Sequence, residues 1–211
     1  MKRLAIIGSG DLAIQIAHHA VYDKHYQIAG CFDDFIACGE YANELLVLGN
    51  IDSIQDCFNK NLFDELIIGI GYKHMELRKQ LFNRFTSSIP FACLIHPSCV
   101  IDHTSVIGKG SVLYSGCIIS MGVEIEENVL IYDGSIIAHD VVIGKHSILS
   151  PGIKISGFSN VGECVNLGTG TILVDNISIA DFTRTGAGAV VVKNIEQPGL
   201  YLGCPAKLHN T

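Results

Sequence analysis

Residues 131–149 read Ile131-Tyr132-Asp133-Gly134-Ser135-Ile136-Ile137-Ala138-His139-Asp140-Val141-Val142-Ile143-Gly144-Lys145-His146-Ser147-Ile148-Leu149, and an aliphatic side chain returns at every sixth place. Followed outward, the column runs without a gap through Ile95, Ile101, Ile107, Leu113, Ile119, Ile125, Ile131, Ile137, Ile143, Leu149, Ile155, Val161, Leu167, Leu173, Ile179, Thr185 and Val191. Sixteen of these seventeen positions are Ile, Leu or Val. Four places after most of them stands a small or β-branched residue, as at Ser111, Cys117, Val129, Ser147, Val165 and Thr171. An α-helix repeats near 3.6 residues and a flat strand at 2. A period of six calls for a chain that turns after each short strand and stacks its aliphatic residues inward.

The chain before residue 93 has another rhythm. Short apolar runs alternate with amphipathic stretches, the pattern of a small α/β domain with a parallel sheet. The expected elements are strands at Leu4–Ile7, Gln27–Phe32 and Glu65–Ile70, and helices at Asp11–Tyr22, Asp52–Asn59 and Met75–Phe85. Residues 1–92 and 93–211 are therefore read as two domains. In the first, Gly8-Ser9-Gly10-Asp11-Leu12-Ala13 forms a Gly-x-Gly-x-x-Ala turn between strand and helix, where backbone amides can cradle phosphate. Asp33 and Asp34 close the second strand, within reach of a ribose or base. About 90 residues hold half of a dinucleotide fold, which favours a mononucleotide or nucleotide sugar as ligand.

Composition narrows the field. With 48% hydrophobic and 17% charged residues, 211 residues fold as a globular protein. A net charge of -7 supplies no field for nucleic acid or an anionic membrane. The longest apolar runs, such as Leu66–Ile70, fall far short of a span of about 20 residues. Eight cysteines without paired spacing and without a signal peptide point to a reducing cytoplasm. Cys99 and Cys117 fall in the small-residue column and read as packing.

Among nine histidines, His18, His19, His25, His74 and His209 have ordinary readings as surface or helix residues. His139 differs, because it leaves the core at a turn and is followed by Asp140. An imidazole accepts a proton near neutral pH, and an adjacent carboxylate can hold its tautomer. His146, seven residues on, falls on another face. Zinc would need three convergent imidazoles, and the seven-residue spacings of His96 with His103 and of His139 with His146 do not provide them. No metal is expected.

The repeat, together with Ile137-Ala138-His139-Asp140-Val141-Val142-Ile143-Gly144, resembles the hexapeptide-repeat sugar O- and N-acetyltransferases, the group of the bacillosamine-pathway, perosamine and sialic acid enzymes. The resemblance implies a Rossmann-like α/β domain followed by a left-handed parallel β-helix with three hexads, or 18 residues, per coil. Seventeen hexads then make about 5 to 6 coils, a prism roughly 27 Å long. It also implies a homotrimer with active sites between subunits, acetyl-CoA as co-substrate and a nucleotide-sugar substrate. His139 becomes the catalytic base with Asp140 beside it, although the family usually has Glu at that place. One coil beyond lies Gly157, stacked on the base where the thioester arrives. Gly168-Thr169 and Gly186-Ala187, 18 residues apart, keep one corner small for pantetheine, and Lys207 of the terminal Gly-x-Pro-Ala-Lys segment faces a coenzyme phosphate. In the first domain the family's nucleotide contacts correspond to Gly8, Ser9, Gly10, Asp33, Asp34, Gly69, Ile70 and Gly71. Relatives with a further histidine carry it where this chain has Ile148. N-acetylation of a UDP- or GDP-linked amino sugar by direct attack is the leading reading. O-acetylation of sialic acid and a non-catalytic trimeric scaffold stand beside it.

Overall fold

The computed structural model describes residues 1–22 and 26–209, so His25 lies outside the described residues. Two compact units divide the chain, the first closing at Leu94 and the second opening at Ile95.

The first unit runs β1 (Lys2–Ile7), α1 (Asp11–Tyr22), β2 (Tyr26–Phe32), β3 (Tyr41–Ala42), β4 (Leu45–Gly49), α2 (Ile54–Asn59), β5 (Glu65–Ile68) and α3 (Met75–Phe85). The sheet order is β3-β4-β2-β1-β5; β1, β2, β4 and β5 are parallel, and β3 folds back on β4 as a hairpin. The expected strands and helices are present with shifted ends. A 3-10 turn at Ile51–Ser53, capped by the Asn50 side chain, precedes α2, and β5 stops at Ile68. The β3–β4 pair was not expected. Ala5, Ile7, Phe32, Leu66, Ile68 and Phe82 fill the core between sheet and helices. Arg3 ties β1 to the chain ahead of β5 through Asp64, whose carboxyl its hydrogen bonds hold down at about 2. Registers such as Ile7 against both Phe32 and Ile68 bring the carboxyl ends of three strands together, so Gly8, Asp33 and Gly69 share one edge.

In the second unit the six-residue column becomes, among the described residues, seventeen two-residue strands from β6 (Leu94–Ile95) to β22 (Val190–Val191). Each pairs in parallel with the strand 18 residues away, as Ile137 does with Ile119 and Ile155. Three sheets result. Face a carries Ile101, Ile119, Ile137, Ile155, Leu173 and Val191 inward; face b carries Ile107, Ile125, Ile143, Val161 and Ile179; face c carries Ile95, Leu113, Ile131, Leu149, Leu167 and Thr185. Thr185, the exception in the column, is buried and uses its hydroxyl to accept from Gly168 N–H at 2.9 Å. A short hairpin, β23 (Leu200–Leu202) and β24 (Lys207–Leu208), extends face c at its far end.

The corners have their own rule. The third residue after each inward aliphatic, from Gly110 to Gly188, has positive φ. That conformation turns its N–H back to the preceding coil, as in Asp140 N–H to Met121 O at 3.0 Å and Asn176 N–H to Gly157 O at 3.0 Å. The small column is explained in the same way. Ser111 and Ser147 are buried, donate to a carbonyl of the next coil and accept an N–H there, satisfying amides that the turn would strand.

Candidate functional site

Face a meets face b at the corner that holds His139. Chain geometry sends Ile137 inward and the next residues out, leaving the His139 side chain 49% exposed. Its Nδ1 lies 3.0 Å from Asp140 Oδ2. The contact that the shorter acid left open is thus direct. Asp140 has φ +55, a conformation that Asp tolerates better than most residues, and that turn carries its carboxylate back beside the imidazole.

Two glycines bracket the pair. A Cβ on Gly157, one coil on, would lie 2.7 Å from His139 Cε1 and 2.9 Å from Nε2, so the ring rests on bare backbone. A Cβ on Gly122, one coil before, would lie 2.7 Å from Asp140 Oδ1. Phe158 meets the imidazole edge to face at 5.0 Å between centroids. Gly122 and Phe158 were missed by sequence reasoning, although steps of 18 from Asp140 land on both.

The other sequence-expected residues of this unit stand elsewhere. Gly168, Thr169, Gly186 and Ala187 form the corner between faces c and a, one face width from His139, or roughly 16 Å along five extended residues. Gly168 is required there by backbone: its Cβ would come within 2.6 Å of Thr185 O. Lys207 sits in the closing hairpin opposite Leu202, whose side chain covers Gly186. His146 is at the third corner, buried, with Nδ1 2.9 Å from Asn128 Nδ2 and Nε2 3.5 Å from Glu163 Oε1.

In the first unit a cleft of about 730 Å³ opens at the carboxyl ends of β1, β2 and β5. Gly8, Gly10, Asp33, Asp34, Gly69, Ile70 and Gly71 line it together. Ser9 does not line it but donates from Oγ to Asp33 Oδ2 at 2.5 Å. Asp33 also accepts from Phe35 N–H, and Asp34 from Ile51 N–H, so both acids are fixed by the loops they join. Buried Arg78 donates from Nη1 to Ile68 O and Ile70 O, each at 3.1 Å, and so pins the glycine segment. The wall opposite is His74, Leu77, Gln80, Leu81 and Arg84 of the α3 segment, with Arg84 held by Asp52 at 2.8 Å. Sequence reasoning missed these, since a charged helix face carries no signal of what it faces.

Residues 3–85 match the model of the PglD N-terminal domain, and residues 122–156 match the bacterial transferase hexapeptide of six repeats. The acetyltransferase domain of PglB from Neisseria gonorrhoeae FA1090 superposes over 99% of this chain and 100% of its own, at TM-score 0.89 and 25% identity. The chain belongs to the hexapeptide-repeat sugar acetyltransferases. PerB from Caulobacter crescentus, solved with CoA and GDP-perosamine, is 25% identical, with TM-score 0.90 over 100% of this chain and 98% of that one. WeeI from Acinetobacter baumannii AYE shares the fold at 21% identity and TM-score 0.83, covering 99% and 100%. No curated protein matches the chain by sequence. This acetyltransferase thus joins the α/β domain and the left-handed β-helix of its family, and among its described residues no helix is long and apolar enough to cross a membrane.

Proposed function

We propose that this acetyltransferase moves the acetyl group of acetyl-CoA to the amino group of a UDP- or GDP-linked amino-deoxy sugar. The observation that carries the reading is the His139–Asp140 pair, exposed at a corner and seated on the bare backbone of Gly157. With its Nδ1–H held by Asp140, the imidazole presents Nε2 as base. The sugar nitrogen attacks the thioester carbon as His139 removes its proton, and the Gly157 N–H donates to the oxygen on which charge gathers. The tetrahedral adduct collapses, the C–S bond breaks, and the coenzyme thiolate leaves and takes a proton from the imidazolium. No covalent enzyme intermediate is needed. Cys117 is buried, donates to Tyr132 O, and its thiol is pushed up by neighbouring Cys99 and by burial.

The first-unit cleft holds the nucleotide: glycine amides toward phosphate, Asp33 and Asp34 toward ribose or base. Gly168, Thr169, Gly186, Ala187 and Lys207 form the pantetheine groove and a phosphate contact. These residues lie a face away from His139, which fits a homotrimer in which one protomer offers its glycine corner to its neighbour's histidine corner. The face between the two corners supports such packing, since Val100, Ile118, Ile136 and Ile172 expose 64%, 41%, 38% and 37% of their surface. Eight free thiols agree with a cytoplasmic home.

Thiol release from acetyl-CoA, measured against UDP- and GDP-amino sugars and free sialic acid, tests the reading. Turnover on a nucleotide amino sugar, reduced about 10²–10⁴-fold in His139→Ala, is expected. Activity on sialic acid alone makes the enzyme an O-acetyltransferase, and no turnover with any acceptor makes it a scaffold.

A further inference from the structure

Phe158 follows Gly157 at the His139 corner. Its ring stands nearly perpendicular to the imidazole, at 85°, yet 59% of the residue is exposed, so core burial does not account for its presence. Its φ of +57 is a conformation that bulky residues avoid. The equivalent places in neighbouring coils hold Gly122, Asp140 and Asn176, which adopt it readily. Phe182 does likewise at the next corner, so the fold tolerates an aromatic ring in this conformation. What distinguishes Phe158 is its contact with His139.

Three groups bound that imidazole. Asp140 engages Nδ1 at 3.0 Å, and Gly157 sets how deep the ring sits. The terminal torsion of His is broad, so one hydrogen bond leaves the ring plane free to rock. The edge of Phe158 closes that freedom and lays an apolar wall beside the base. We propose that Phe158 is a positioning residue that fixes the His139 plane with Nε2 toward the acceptor amine. The inference rests on His139 being the base.

Phe158→Asn is the informative variant, because Asn accepts positive φ, as Asn176 does one coil further on. Removal of the ring is expected to lower kcat about 10–100-fold. KM for acetyl-CoA and for the acceptor should stay within about threefold, and Tm should equal or exceed that of the parent. Phe158→Tyr, which keeps the ring edge, should hold kcat within about threefold of the parent. Unchanged kcat in Phe158→Asn overturns the proposal. So does a kcat loss matched by a fall in Tm, or a rise in KM for acetyl-CoA larger than the fall in kcat. His139→Ala separates the two levels. Full turnover in that variant removes the base and the positioning role together, whereas an inactive His139→Ala beside an unimpaired Phe158→Asn removes the positioning role alone.

Discussion

Gly157→Ala adds one carbon at the point where the proposed chemistry is tightest. The new Cβ would stand 2.7 Å from His139 Cε1 and 2.9 Å from Nε2, against ordinary contacts that begin at 3.4 Å, so the ring must retreat by about 0.7 Å. It has room to do so, because the His139 side chain is 49% exposed. The outward swing stretches the 3.0 Å contact with Asp140 and moves Nε2 off line. Misplacement of about 1 Å at a reacting group costs on the order of 10²-fold in rate. Stability behaves differently. The φ of Gly157 lies outside the left-handed range, so Ala gains about 0.4–1 kcal/mol from the unfolded chain, offsetting part of about 1–3 kcal/mol of crowding. For a chain of this size a net loss of up to about 2 kcal/mol lowers Tm by less than roughly 8 °C. Thiol-release rates at saturating acetyl-CoA and thermal melts by circular dichroism measure both. A kcat within threefold of the parent refutes the packing argument. A Tm collapse beyond about 10 °C shows that Gly157 supports the coil and not the ring.

Asp140→Asn keeps a residue suited to φ +55 but frees the imidazole tautomer; kcat should fall about 10²-fold or more while Tm stays within a few degrees, read by the same two assays. Gly10→Ala meets no heavy atom within 4 Å, so folding should be unaffected, while KM for the sugar nucleotide should rise at least about tenfold as the methyl enters the phosphate cradle. Asp64, held at about 2 by Arg3 against an ordinary 3.8, stabilises the fold fully above its unfolded value and loses that contribution as pH falls through its folded one. The Tm gap between the parent and Asp64→Asn should therefore be constant from about pH 5 to 8 and close between about pH 4 and 2. A gap that persists at about pH 2 contradicts the pairing with Arg3.

The β-helix was legible because every coil repeats the same physical demand, and one column of aliphatics fixes every strand pairing. From Ile137 alone the partners Ile119 and Ile155 follow, and so does Gly157 beneath His139. The same arithmetic run backward from Asp140 reaches Gly122, a step not taken. The β3–β4 hairpin left a fainter trace: Asn43, with φ +54, turns the chain between two strands of two and five residues. Such strands are too short to show a period. Arg78 was beyond reach from sequence. A charged residue on α3 reads as solvated, and only the tertiary fold reveals a buried guanidinium holding the carbonyls of Ile68 and Ile70. Likewise the spacing of Gly168 and Gly186 marked a corner but not which corner, since neighbouring corners differ by only six residues.

The turn that reaches back one coil at every corner gives this chain a second reading frame. Loss or gain of any number of residues not divisible by six exchanges the inward column for an outward one and unmakes the core. Six or twelve residues preserve the core but rotate everything beyond by a third or two-thirds of a revolution, which would carry Gly157 away from His139. Only eighteen lengthens or shortens the prism and leaves every pair of neighbouring coils in place, so descent within such a scaffold proceeds by whole coils, and the residues that meet at a corner travel together or not at all.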